Sequence, residues 1–113
     1  GPYSQAIQIG DFIFASGQRP VDPVSGEIPS DIKSQTKQVL TNIKSVLAAA
    51  NVEMKDIIRT NVYLSDIKDF YDMNEVYKEM IPEPFPARTT VGCQLRGILV
   101  EIDVVAKAPK KEN

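Results

Sequence analysis

In the stretch "FPARTTVGCQL", residues 85 to 95, Arg88 is the only charged side chain. A guanidinium presents a planar fork of donors that matches a carboxylate, so its isolation marks Arg88 as a candidate anion clamp. Further on, "ILVEIDVVA" carries Glu101 and Asp103 at alternate positions, the residue type that holds and activates a water. The chain has no histidine and a single cysteine, Cys93. The usual general base, the Ser-His and Cys-His nucleophile pairs and the commonest metal ligand are therefore missing. So are an internal disulfide and any Cys-rich metal site. No cofactor and no metal are expected, which leaves carboxylates, arginine, tyrosine, backbone groups and water to do the chemistry.

The elements that must position these groups can be read from periodicity. "YSQAIQIGDFIFASG" predicts a hairpin of two strands, Ala6 to Ile9 and Phe12 to Ser16, around Gly10-Asp11. The three prolines and one glycine of "QRPVDPVSGEIPSD" predict a long surface loop. With Ser30 as N-cap, Ile32, Val39, Leu40, Ile43, Val46, Leu47 and Ala50 recur at helical spacing, and Asn51 offers a left-handed stop. Strand chemistry returns in "DIIRTNVYL", residues 56 to 64. Ser65 is then read as the cap of a second helix, with Ile67, Phe70, Asn74, Tyr77 and Met80 or Ile81 as its buried stripe, ended by Pro82, Pro84 and Pro86. Two last strands follow, Ala87 to Leu95 and Ile98 to Lys107. The order β-β-α-β-α-β-β predicts an α+β fold, a single mixed sheet with both helices on one face.

Parity divides the last strand into an apolar set, Ile98, Val100, Ile102, Val104 and Ala106, and a mixed set, Leu99, Glu101, Asp103 and Val105. The apolar set suits the helices. The mixed set suits neither a core nor open water, and burial against another subunit would reconcile it. Taking Arg96-Gly97 as a two-residue hairpin loop pairs Leu95 with Ile98, Gly92 with Glu101, Thr90 with Asp103 and Arg88 with Val105. Arg88, Thr90, Gly92, Glu101 and Asp103 would then share the uncovered face, with a gap at Gly92 beside the carboxylate. Two readings stay open: an anion site with a water-orienting base, and an ordinary ion pair worth about 0 to 1 kcal/mol when exposed.

Other polar residues also carry two readings each. Asn74 is a buried amide or the support of a site loop. Ser16-Gly17 is a turn or a source of backbone N–H donors for an anion. Tyr3 is packing or lends its hydroxyl to a neighbour. Cys93, of opposite parity to Arg88, is expected to face the helices as a small hydrophobe.

The chain of 113 residues is 42% hydrophobic and 25% charged, the composition of one globular domain spanning 1–113. Its net charge of −2 with scattered basic residues disfavours a nucleic-acid partner. The one basic cluster, in "KAPKKEN", is read as a loose tail over 107–113, with an interaction arm as the alternative. No apolar run is long enough for a membrane helix, and no signal-peptide pattern is read at the start, Gly1-Pro2. A cytoplasmic location is expected, or an organellar one if an N-terminal segment was removed.

Several segments together resemble the RidA family, the reactive-intermediate (imine) deaminases also called YjgF. The matches are "GPYSQA", "ASGQRPVDPVSGEIP", "QTKQVLTNIKSVLAAAN", "TNVYLSDIKDFYDMNEVY", "FPART" and "ILVEIDVVA", in order over nearly the whole chain. The resemblance implies a homotrimer of chorismate-mutase-like subunits whose sheets line a central barrel, with sites at the three interfaces. It implies that Arg88 of the P-A-R motif binds the substrate carboxylate and that Glu101 positions the hydrolytic water. Ser16, Gly17 and Thr90 would contact the ligand, Tyr3 would be donated across the interface, and Asn74 would support the pocket. The implied reaction is hydrolysis of short 2-imino acids, formed from 2-aminoacrylate or 2-aminocrotonate, to 2-oxo acids and ammonia. Two alternatives remain: a non-catalytic trimer that binds 2-oxo acids, and a ribonuclease or translation inhibitor. The sequence departs from the family at Thr90, where many members carry cysteine, and at the shorter "QLRGIL" turn. The segment that precedes "GPYSQA" in the family is not seen in this sequence.

Overall fold

The computed structural model describes residues 1–109. Strands β1 (Ala6–Ile9) and β2 (Phe12–Gln18) form an antiparallel hairpin in which Ile9 faces Phe12. Its turn begins at Gly10, whose φ of +56° is open to glycine without a side-chain clash. No helix or strand interrupts residues 19–31. The loop is tied to helix α1 (Ile32–Ala49) by side-chain amides. Asn42 Nδ2 donates to Arg19 O and Val21 O, and Gln35 Nε2 donates to Pro29 O.

Helix α1 is capped by Asp31, whose carboxylate accepts from the Ser34 N–H at 3.0 Å, so the cap lies one residue beyond the expected Ser30. The helix stops where Asn51 adopts φ +61°, a conformation asparagine tolerates better than most residues. Of the stripe the spacing predicts, Ile32, Val39, Leu40, Ile43 and Leu47 are buried, and Val46 and Ala50 are partly buried against the core. A 3₁₀ turn (Met54–Asp56) leads into β3 (Ile57–Leu64), and a second (Ile67–Asp69) leads into α2 (Phe70–Met80). Asp66, not Ser65, caps that second turn by accepting from the Lys68 N–H. Met73, Tyr77 and Ile81 are buried, Ile67 is exposed, and Phe70, Asn74 and Met80 lie at the flank, partly buried.

The largest difference from expectation concerns the last two strands, β4 (Ala87–Gly92) and β5 (Val100–Lys107). They are not a hairpin. The five strands run in the order β1-β2-β5-β3-β4, with β3 between β5 and β4. β4 pairs with β3 in parallel, and the other pairs are antiparallel. A parallel pair needs a crossover, which a two-residue turn cannot provide, and α2 provides it. Residues 93–99 then arch over the end of β3, bonded to it at both feet: Cys93 N–H to Leu64 O, and Ser65 N–H to Leu99 O.

Both helices cover one face of the sheet. Ile13 and Ala15 of β2, Val62 and Leu64 of β3, and Val100, Ile102, Val104 and Ala106 of β5 are buried beneath them. The expected apolar set of the last strand is thus borne out. Lys107 ends β5 opposite Phe12, and the buried Ala108 donates its N–H to Asp11 O, so the expected tail is tied down as far as Ala108. Residues 110–113 lie outside the described residues.

Candidate functional site

The revised strand order changes which side chains meet. In the parallel ladder Thr60 pairs with Arg88 and Val62 with Thr90, and paired residues share a face. Thr60 and Val62 are buried under the helices. Arg88 and Thr90 therefore lie on the helix-covered face, at the β4 edge. Glu101 pairs with Tyr63 and Asp103 with Asn61, on the opposite face. The shared face expected for Arg88, Thr90, Gly92, Glu101 and Asp103 does not exist within one chain, because β3 stands where the hairpin partner was placed. Arg88 and Glu101 are two strands apart, about 10 Å across the sheet, and on opposite sides of it.

Two clusters result. At the β4–α2 edge, the Arg88 guanidinium carbon lies 4.7 Å from the ring centroid of Tyr77 and 5.5 Å from that of Phe70. Such contacts stabilise by about 0.5 to 2 kcal/mol, depending on desolvation. Asn74, Tyr77, Lys78, Phe85, Pro86 and Arg88 line an open recess of about 350 Å³. Next along β4, the Thr90 hydroxyl is buried without a hydrogen-bond partner among the described residues. A buried hydroxyl left unpaired costs about 1 to 3 kcal/mol, a cost that a ligand acceptor would relieve.

The second cluster lies on the open face, where β2 meets β5. Between Ala15 and Gln18 the ladder gains one residue on β2, so Ser16-Gly17 is a bulge inside a longer strand rather than a turn at its end. A Cβ on Gly17 would stand 2.7 Å from Glu101 Oε2. The space beside the carboxylate is therefore at Gly17, not Gly92, whose own Cβ position faces Ile67. Ser16 Oγ donates to Ser4 O, which holds the N-terminal segment. Tyr3 is 62% exposed and lines one recess with Gly17 and another with Ser16. Beside Glu101, both Asp103 oxygens are occupied, accepting from Asn61 Nδ2 at 2.8 Å and Tyr63 OH at 2.9 Å. Burial and the hydrogen bond to the Asp103 carboxylate raise the Tyr63 phenol above its ordinary value of 10.0.

The structure thus gathers Arg88, Thr90 and Asn74 at one edge, and Tyr3, Ser16, Gly17 and Glu101 at another place. Cys93 follows the end of β4 and is exposed, so it is not the buried small hydrophobe expected from a longer strand. Sequence reasoning missed the aromatic surroundings of Arg88. The signal was present in Phe70, Asn74 and Tyr77, which recur at helical spacing on a helix between two strands. Only a β-α-β reading places that helix edge over β4. Among the described residues no three potential metal ligands cluster, and no helix is long and apolar enough to cross a membrane.

The family model described as Endoribonuclease L-PSP matches residues 1–108. The chain belongs to the RidA/YjgF family. A RutC family protein of Pyrococcus horikoshii is 50% identical over 109 residues, covering 94% of this chain and 86% of that protein. The 2-iminobutanoate/2-iminopropanoate deaminase of Escherichia coli is 37% identical over 111 residues, 94% of this chain and 87% of the enzyme. Among solved structures, RidA from a Psychrobacter species superposes with a TM-score of 0.90 at 38% identity, over 95% of this chain and 89% of that one. The mixed α+β fold, one multi-stranded sheet with two helices, is the RidA/YjgF fold.

Proposed function

We propose that this protein is a 2-iminobutanoate/2-iminopropanoate deaminase, hydrolysing short 2-imino acids to 2-oxo acids and ammonia at sites shared between subunits of a homotrimer. The observation that carries this reading is the division of the candidate residues. Arg88 and Glu101 lie on opposite faces of one sheet, so a site that uses both takes them from different chains. The open face supports such an assembly. Ile7, Ile9, Phe12, Phe14 and Val91 are exposed large hydrophobics of β1, β2 and β4, and a partner sheet would bury apolar area of this kind. Similarity to the E. coli deaminase supports the reaction.

The chemistry asks little of the protein. Arg88 binds the substrate carboxylate through paired charge-assisted hydrogen bonds, with the Thr90 hydroxyl as an added contact and Asn74 supporting the recess. Glu101, in the space left by Gly17, takes a proton from water as its oxygen attacks the imine carbon. As the C=N bond becomes single, Glu101 returns that proton to the nitrogen, giving a neutral carbinolamine. The carbinolamine collapses as its hydroxyl proton passes through Glu101 to the nitrogen, so that the C=O forms, the C–N bond breaks and ammonia departs. Tyr3 and the Ser16-Gly17 bulge supply further contacts near the carboxylate. None of these steps requires histidine or metal. The family model's endoribonuclease description names another activity, but the net charge of −2 and the missing histidine favour the imine reading.

The test is ammonia release from an aminoacrylate-generating system. Arg88→Ala is expected to abolish it while the oligomer persists, and unchanged turnover would overturn the assignment. Glu101→Gln is expected to lose turnover yet still bind 2-oxobutanoate. Undiminished turnover there would overturn the role given to Glu101.

A further inference from the structure

Arg88 enters the helix-covered side of the sheet without meeting an anion. The ion pairs among the described residues are Lys33–Glu75, Lys55–Glu53 and Lys68–Asp66, and none involves Arg88. What meets the guanidinium is aromatic. The Tyr77 ring lies 4.7 Å away, and the Phe70 ring, at the flank, 5.5 Å away. Tyr77 is itself only 5% exposed, and its hydroxyl is hydrogen-bonded to Thr60 Oγ1 at 2.8 Å. Thr60 is fully buried and is the strand partner of Arg88. The ring is therefore fixed at both ends, by the α2 backbone and by the strand beside Arg88.

A carboxylate in place of the ring would also hold the arginine, but it would occupy the N–H donors and cancel the charge. A π face attracts the cation while leaving the donor fork free. We propose that Tyr77 is the positioning residue for Arg88. Its ring, pinned by Thr60 and assisted by Phe70, seats the guanidinium on the wall of the recess with Asn74, Phe85 and Pro86, ready for the carboxylate of a small 2-imino or 2-oxo acid. This rests on the reading of Arg88 as the carboxylate clamp. Tyr77 acts through Arg88 and touches no reacting atom. Its loss therefore weakens ground-state and transition-state binding alike, which raises KM and leaves kcat in place.

The experiment compares 2-oxobutanoate Kd and steady-state deamination in the whole protein. Tyr77→Leu is expected to raise Kd and KM roughly tenfold with kcat within about threefold. Tyr77→Met, which keeps more of the volume, takes its place if the leucine variant does not fold. Tyr77→Phe deletes the bond to Thr60 but keeps the ring, so Tm falls while Kd stays within about threefold of wild type. Ile43→Val in α1 lowers Tm without approaching Arg88 and is expected to leave Kd alone. Unchanged Kd in Tyr77→Leu or Tyr77→Met, alongside lost binding in Arg88→Ala, overturns the role of Tyr77 and leaves the clamp intact. Unchanged Kd in Arg88→Ala overturns the clamp itself. Binding weakened as much by Ile43→Val as by Tyr77→Leu reduces the effect to lost stability and also overturns the proposal.

Discussion

A Cβ on Gly17 would stand 2.7 Å from Glu101 Oε2, closer than real Cβ atoms approach, and a tight 3.1 Å from its Cδ. The backbone at Gly17 is not in the left-handed region, so alanine is permitted there and the conflict falls on the carboxylate. Glu101 is long enough to swing aside. Gly17→Ala is therefore expected to keep the fold and the Arg88 recess but to misplace the Glu101 carboxylate, which is proposed to hold the water. The expected result is a kcat roughly 10 to 100 times lower with KM little changed, measured by ammonia release beside a thermal melt. The importance of a glycine beside Glu101 was legible in the sequence, but the glycine was not. Gly92 was paired with Glu101 on an assumed hairpin, whereas the contact comes from a bulge on β2, which strict two-residue alternation does not reveal.

At the scale of elements, the helix boundaries follow local chemistry and the strand pairing does not. Asn51 ends α1 at φ +61°, as its side chain allows. Asn51→Val should cost about 1 to 2 kcal/mol, because a branched Cβ crowds the backbone there, and Asn51→Gly should be tolerated. Urea denaturation of the two variants checks this. The strand-helix-strand run from Ile57 to Gly92 was visible as periodicity, yet its meaning as a parallel crossover was not. The short Arg96-Gly97 sequence resembles a hairpin turn, and Gly97 does have φ +69°. It serves the arch over β3. A local turn signal reports backbone curvature at one place and cannot report which strand the chain passes.

Within one chain Arg88 and Glu101 stand in two separate clusters, on opposite faces of the sheet. An assembly that joins the Arg88 edge of one chain to the Glu101 face of the next would complete three sites per trimer. That arrangement makes a sharp prediction. Arg88→Ala and Glu101→Gln homo-oligomers are each expected to be inactive, but mixed oligomers refolded from equal amounts should regain about a quarter of wild-type activity. The reason is combinatorial: one seam in four pairs an intact Arg88 with an intact Glu101. Ammonia release from mixed and unmixed samples, with native mass spectrometry to confirm mixing, checks it. No recovery in confirmed mixed oligomers would place both residues in the same chain's site or in none.

The sequence by itself determined the order and type of the main elements, the apolar face of the last strand and most of the buried stripe of α1. These depend on near-neighbour spacing, because helical and strand periods repeat within a few residues. Only the tertiary structure decided that β3 lies between β4 and β5, that Arg88 rests against Tyr77 under the helices, and that Gly17 makes the space for Glu101. Those facts depend on which distant segments bury one another. That choice is made by the summed burial of the whole sheet and both helices, and no single stretch of sequence contains it.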